Sequence, residues 1–426
     1  MRSVGIVFGS ILSGALAASI ASPASATTYT VLHSFCHGNK FVCKDGKSPA
    51  AGLVSDAHGN LYGTTSAGGD TGNGVIFELE FKRKANKYAY RVLHSFDGAA
   101  DGGVPITPLI IDTAGNLYGT ATADGSDFGG TAFEISPNAD RSAWTYKVLI
   151  NFCSHGGTGC IDGMVPESGL AYAGSSTGVP YDGTSPLYGT TLEGSTPGIV
   201  YRLTQSGGSW DGSVLYGFCA QASCADGEFP VGQIAVDGAG RNVYGTTNGG
   251  GGENGSGVVF KVATANGAET VLHTFCGEVN CTDGSGAQGG VALSGKTLFG
   301  TAPLGGKNDG GVVFRINVGS EKEKVLYSFC SAAGCTDGQG PDGPPLQNSV
   351  DLFGVALGGD ASVNGVIYQI GPDNSETVLH HFCQADKCTD GSLPVGGVVI
   401  NSIADIFGVT ERGGDRGDGV VYELAP

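Results

Sequence analysis

The chain has 426 residues, 76 of them glycine, with 15% charged and 40% hydrophobic residues and a formal net charge of −18. An acidic chain without a Lys/Arg cluster has no basic patch for nucleic acid or an anionic membrane, so its charged partners would be cations or basic surfaces. So much glycine, without the Ala, Glu, Lys and Leu wealth of helical proteins, points to an all-β fold.

The N-terminus reads "MRSVGIVFGSILSGALAASIASPASA", a short basic start, an apolar middle and small residues at Ala24 and Ala26. This is the pattern of a secretory signal peptide over residues 1–26, with an uncleaved anchor as the rival reading. No later segment has the roughly 18 apolar residues needed to span a bilayer, and no C-terminal anchor is expected after Tyr422. The mature chain, residues 27–426, is expected as one periplasmic or secreted monomeric domain.

From there one unit recurs seven times. Its first column is "VLHSF" at Val31–Phe35, returning with its last residue at Phe96, Phe152, Phe218, Phe275, Phe329 and Phe382. A short apolar run such as "AGLVSD" comes next, and then "NLYGTT", whose glycine recurs as Gly63, Gly119, Gly189, Gly245, Gly300, Gly354 and Gly408. The unit closes on "GVIFEL" from Gly74, last seen as "GVVYEL" from Gly419. Four short β-rich runs separated by Gly, Asn, Asp and Pro are four strands joined by turns. Seven such sheets, each needing cover on both faces, make a seven-bladed β-propeller.

With the "GLVSD" run innermost and "VLHSF" outermost, the mature chain begins on an outermost strand and ends on a third strand. Residues 28–35 are therefore expected to complete the last blade, so that no stray edge separates first and last blades. The repeated glycine after the aromatic residue fits a point where another backbone or a ring comes close.

These three columns, together with "DG..P..GLV.D..GNLYGTT..GG", resemble the GloVer tandem-repeat family of exported bacterial proteins over residues 28–424. The resemblance implies export and a repeat array. It carries no established catalytic residues.

Twelve cysteines fall into pairs just after the "VLHSF" strands: Cys36–Cys43, Cys153–Cys160, Cys219–Cys224, Cys276–Cys281, Cys330–Cys335 and Cys383–Cys388. In an exported chain they read as local disulfides, each stabilising by only about 2 kcal/mol for so short a loop. Thiol pairs as metal sites are the alternative, but they offer two ligands each. The second copy, "HSFDGAADGG", lacks both cysteines together.

Each loop continues into Asp-Gly, at Asp45, Asp101, Asp162, Asp226, Asp283, Asp337 and Asp390, commonly followed by a proline: Pro49, Pro105, Pro166, Pro230, Pro344 or Pro394. One reading is a turn, with Asp capping nearby N–H groups and Gly taking positive φ. The other is seven carboxylates ringing the channel mouth and attracting cations, calcium first, as the one candidate cofactor. His33, His94, His273 and His380 share one column with Ile150, Tyr216 and Tyr327 and read as strand residues. No serine-nucleophile motif, P-loop or HExxH occurs, so no catalytic residue can be named.

A non-enzymatic binding or scaffold protein for a protein or glycan ligand is the leading expectation. A hydrolase or lyase on a saccharide or lipid is its alternative, and for it the non-repeating acids Glu167, Glu193, Glu228, Glu253 and Glu411 are the places to look. Unlike, non-repeating polar residues at the channel mouth would favour the second.

Overall fold

Seven antiparallel sheets form in the order the repeat dictates. The computed structural model describes residues 27–37, 42–154, 159–175, 178–253, 255–359 and 364–426, so the leader expected in residues 1–26 lies outside the described residues. Blade 1 runs outward from Val54–Ser55 through Leu61–Thr65 and Val75–Lys82 to Lys87–Ser95. Blades 2 to 6 repeat this order over 110–151, 187–217, 228–274, 291–328 and 339–381. In blade 7, Ser392–Ile400, Ile406–Arg412 and Val420–Ala425 are completed by Thr28–Ser34, whose Tyr29 lies opposite Leu424 and whose Ser34 lies opposite Val420. The ring thus closes as the sequence frame requires, and the third strand of blade 7 gains a hydrogen-bonded neighbour in place of an open edge. Blade 3 departs in one detail: its innermost position is held by Ala171 alone, bridged to Tyr188.

The "VLHSF" phenylalanines, from Phe35 to Phe382, are at most 1% exposed. Each meets the aromatic residue of the third strand in the next blade: Phe35 meets Phe77 at 5.3 Å between ring centroids, and Phe382 meets Tyr422 at 5.2 Å. All seven seams carry this aromatic contact. The repeated glycine lies beneath the same ring, and a Cβ on Gly63 would stand 2.6 Å from Phe77 Cζ. The column is glycine because a ring occupies the space a side chain would need.

A β-bulge interrupts every outermost strand at its leucine. Val31 and His33 pair with consecutive residues Tyr422 and Val421, leaving Leu32 extra, and Leu93, Leu149, Leu215, Leu272, Leu326 and Leu379 repeat the irregularity. A bulge bends its strand and re-aims the residues beyond it. Here those residues lead into the loop that crosses to the next blade.

Candidate functional site

The crossing loops and the loops after the second strands share one end of the ring and are bonded together. Gly69 N donates to Cys43 O at 2.9 Å, and Gly251, Gly306 and Gly414 make the equivalent bond to Cys224, Cys281 and Cys388. Both backbones approach closely there: Gly68 has φ +82° and a Cβ on it would stand 2.7 Å from Cys43 O. The six expected disulfides are all formed, with Cα separations from 3.9 to 4.3 Å. Six bridges on one face suit an oxidising environment.

The Asp-Gly carboxylates lie on the seams between blades, beside the outermost strands. Asp337 accepts hydrogen bonds from Ser331 N at 2.8 Å, Ala332 N at 3.2 Å and the Tyr327 hydroxyl at 2.7 Å. Asp226 repeats this with Ala220 N, Gln221 N and Tyr216. Asp283 and Asp390 each accept from two loop N–H groups, Asp162 from Ser154, and Asp45 and Asp101 from one loop N–H and from the rings of His33 and His94. None of the seven lines the channel cavity, so the structure places them elsewhere than the ring of carboxylates at the mouth. The reason is their place in the loop: Asp comes while the chain still overlies the outermost strand, before it has crossed to the centre. Among the described residues, the two groups of three candidate metal ligands, Cys36–Cys43–Asp418 and Cys219–Cys224–Glu228, each include both sulfurs of a disulfide, which leaves one carboxylate apiece.

The seam also contains a column that the sequence reading left unused, the residue six before each phenylalanine. It is Tyr29, Tyr90, Tyr146, Gly212, Glu269, Glu323 and Glu376. Each faces the residue two before the phenylalanine of the preceding blade. Tyr29 stacks on His380 at 4.0 Å, Tyr90 on His33 at 3.8 Å and Tyr146 on His94 at 4.0 Å. The three tyrosine hydroxyls donate to the carbonyls of Asp390, Asp45 and Asp101. In the other half of the ring, burial pushes Glu269, Glu323 and Glu376 up to about 7, helped by Asp226, Asp283 and Asp337 respectively. Oε1 of each is buried without a hydrogen-bond partner.

At the centre, on the face carrying the disulfide loops, lies a cavity of about 350 Å³. Glycines narrow the bore, because neighbouring blades touch through backbone there: Gly396 has φ +73° and a Cβ on it would stand 2.1 Å from Gly52 N. The polar groups lining the cavity are Glu167, Ser168, Gln233, Asn248, Gln288 and Asp342. Gln288 Nε2 donates to Asn248 Oδ1 at 3.0 Å, and Gly396 N donates to Asp342 Oδ2 at 2.8 Å. Burial raises Glu167, with Glu193 adding to it, and burial raises Asp342, opposed by N–H donors and aided by Glu411.

Of the acids singled out in the sequence, Glu167 thus lines the mouth, while Glu193 and Glu411 act on it from nearby; Glu228 and Glu253 are not among the lining residues. Asp342 does not stand out in the sequence, where Pro344 reads as the repeat proline. The proline that packs on the preceding blade is Pro341, whose Cδ lies against Gly311 as Pro105 lies against Gly74. Glu167 and Asp342 both directly follow this proline, a position held by Ala50, Ile106 and Val231 in other blades.

A repeat-family model, the Gloeobacter/Verrucomicrobia repeat, matches residues 19–186 and 177–342. The chain belongs to this family. No curated protein matches the sequence. Among solved structures, the chain is similar to TolB from Acinetobacter baumannii (11% identity, covering 88% of this chain and 79% of that one, TM-score 0.40). It is likewise similar to a nidogen/laminin complex chain (13%, 71% and 88%, TM-score 0.41) and to puromycin hydrolase (13%, 85% and 50%, TM-score 0.45). The chain spans about half the length of puromycin hydrolase.

Proposed function

We propose that this protein is an exported binding propeller that takes a small saccharide-type ligand at its channel mouth. The observation that carries the reading is the set of unlike polar groups there, two carboxyls and three carboxamides, of which Glu167, Gln288 and Asp342 stand where the other blades have Ala50, Ile106, Val231 and Val395. Carboxyl and carboxamide groups together offer donors and acceptors to neighbouring hydroxyls, and loops on a rigid scaffold are the usual seat of binding. Among the described residues the lining contains no Lys or Arg, so an anionic ligand would meet uncompensated carboxyl groups. The cavity volume suits one sugar unit within a longer glycan. Export to the periplasm or beyond is supported by the six disulfides and by the leader pattern.

A second reading, hydrolysis of a saccharide, is favoured by one observation: two carboxyl groups of raised pKa, Glu167 and Asp342, line the same cavity. Raised carboxyls are suited to protonating a leaving oxygen. The test is a thermal-shift screen of the purified protein against mono- and oligosaccharides, with reducing-end release followed in parallel. The binding reading expects a ligand that raises the melting temperature of the native protein but not of Glu167→Gln/Asp342→Asn, with no release of reducing ends. Release abolished by that same pair of substitutions would establish the hydrolase, and no saccharide response at all would refute both readings.

A further inference from the structure

At one seam of the seven the column six before the phenylalanine has no side chain at all. Between blades 2 and 3 the stacking pair is replaced by Ile150 and Gly212. Three seams hold a tyrosine ring against a histidine at this level, and three hold a glutamate. Here a cavity of about 350 Å³ opens, walled by Ile150, Tyr201, Leu203 and Trp210, with Gly212 and the polar Asp162 also on its lining. A Cβ built on Gly212 would point at Ile150 Cδ1, 3.6 Å away, and at Leu203 Cδ2, 3.7 Å away. A side chain at 212 would therefore enter this space, as Tyr90 and Tyr146 enter theirs.

The glycine is not required by the backbone. Gly212 lies within the strand Ser209–Gly217, paired with Leu203, and it is not among the positive-φ glycines. Space, not conformation, is what glycine provides at this position. Trp210 is 8% exposed and its indole Nε1 is buried without a hydrogen-bond partner. A buried unpaired donor in a residue that lines a cavity is a costly arrangement that a ligand acceptor could relieve.

We infer that the seam between blades 2 and 3 is a binding site for a phenol ring, which takes the place that a tyrosine occupies at three other seams. The ring would lie on Ile150 where Tyr146 lies on His94, with Tyr201 and Trp210 as aromatic walls. Its hydroxyl would reach the region of Asp162, which holds the repeat position of Asp45, Asp101 and Asp390, the residues that accept the tyrosine hydroxyls. That hydroxyl can also accept from the Trp210 N–H, since a phenol both donates and accepts. Volume does not limit the fit, because an apolar cavity of about 150 Å³ already admits benzene. The inference is independent of the channel-mouth reading.

The test uses the purified protein with 4-methylphenol, the side chain of tyrosine cut at Cβ, followed by melting temperature and tryptophan emission. The native protein is expected to melt higher as the phenol is added, because a ligand bound to the folded state stabilises it by mass action. Gly212→Tyr is expected to melt higher without ligand and to lose the response. Gly212→Leu, which also fills the hollow, carries the same test if the tyrosine variant fails to fold. Toluene is expected to give a smaller shift than the phenol, and an equal one would overturn the role of the hydroxyl. A tripeptide with a central tyrosine separates the sources: a response to it shows that a peptide-borne ring can be held, and a response to the phenol alone points to a small aromatic. No response of the native protein, or equal responses in native and filled variants, overturns the inference.

Discussion

The two halves of the ring close the same seam by opposite chemistry. From blade 6 across the closure to blade 2, a tyrosine stacks on a histidine and its hydroxyl reaches an Asp carbonyl. From blade 3 to blade 6, a half-buried glutamate stands near an Asp carboxylate. In two of these three seams, a tyrosine hydroxyl comes instead from the strand on the other side, as Tyr216 and Tyr327 donate to the carboxylates of Asp226 and Asp337. The comparison teaches that the backbone of a repeat constrains which columns meet, while the side chains meeting there are free to exchange roles across the seam. A ring on a ring removes apolar area from water and adds a stacking contact. A carboxyl beside a carboxylate does so only if it keeps its proton, which ties that half of the ring to pH.

The largest effect should come from opening the tyrosine half at its closure. Deleting residues 28–35 removes the outermost strand of blade 7, the Tyr29–His380 stack and the fully buried Phe35. The expected destabilisation exceeds the about 3–5 kcal/mol of truncating one buried aromatic, and the bared third strand should promote association. Calorimetry and size-exclusion chromatography read both, and a deletion variant that kept its stability and showed no association beyond that of the native protein would contradict the closed ring.

An intermediate effect should distinguish the halves directly. Tyr90→Ala removes a largely buried ring and its hydrogen bond and should cost about 3 kcal/mol. Glu323→Ala removes a carboxyl whose Oε1 has no partner, and should stay within about 1 kcal/mol of neutral. Denaturant unfolding of the two variants side by side measures the difference. Equal costs would mean that the seams are energetically alike despite their chemistry.

The smallest effect is a pH dependence that near neutrality comes mainly from the glutamate half. Glu269, Glu323 and Glu376 are raised to about 7 when folded, so the folded state holds protons that the unfolded state releases at its lower carboxyl pKa. Their contribution is complete below about pH 4.5 and is lost as pH rises through about 7. Opposing them, burial lowers His94 and His380 to about 4, and what these residues contribute is present above about pH 6.5 and lost as pH falls through about 4. Between about pH 7 and 8 the histidines are largely neutral in both states, and the melting temperature should fall with rising pH. Replacing the three glutamates by glutamine should flatten that segment. Asp101, raised to about 7 by burial and by Asp97, should leave a residual slope in the tyrosine half.

Much of the candidate site was legible only as columns. The Asp-Gly aspartates were plain in the sequence, yet their position on the seam was not, because the loop length needed to cross from rim to centre cannot be read from the residues. The tyrosine-glycine-glutamate column becomes visible once the phenylalanines are aligned, but its meaning depends on the residue facing it in the neighbouring blade. Asp342 was hidden by a second proline three residues later, and what identifies Pro341 is its contact with Gly311.

By itself the sequence determined the seven blades, the strand order within them, the shared last blade, the disulfide pairs and the reason for the glycine beneath each aromatic ring. All of these follow from local turn chemistry, β-periodicity and the self-alignment of the repeat, which need no knowledge of neighbours. Only the tertiary structure decided which columns confront one another, that two carboxyls and three carboxamides meet at the channel mouth, and that a cavity opens where Ile150 faces Gly212. Those facts depend on contacts between residues up to hundreds of positions apart, set by how seven nearly equal sheets pack around a common axis.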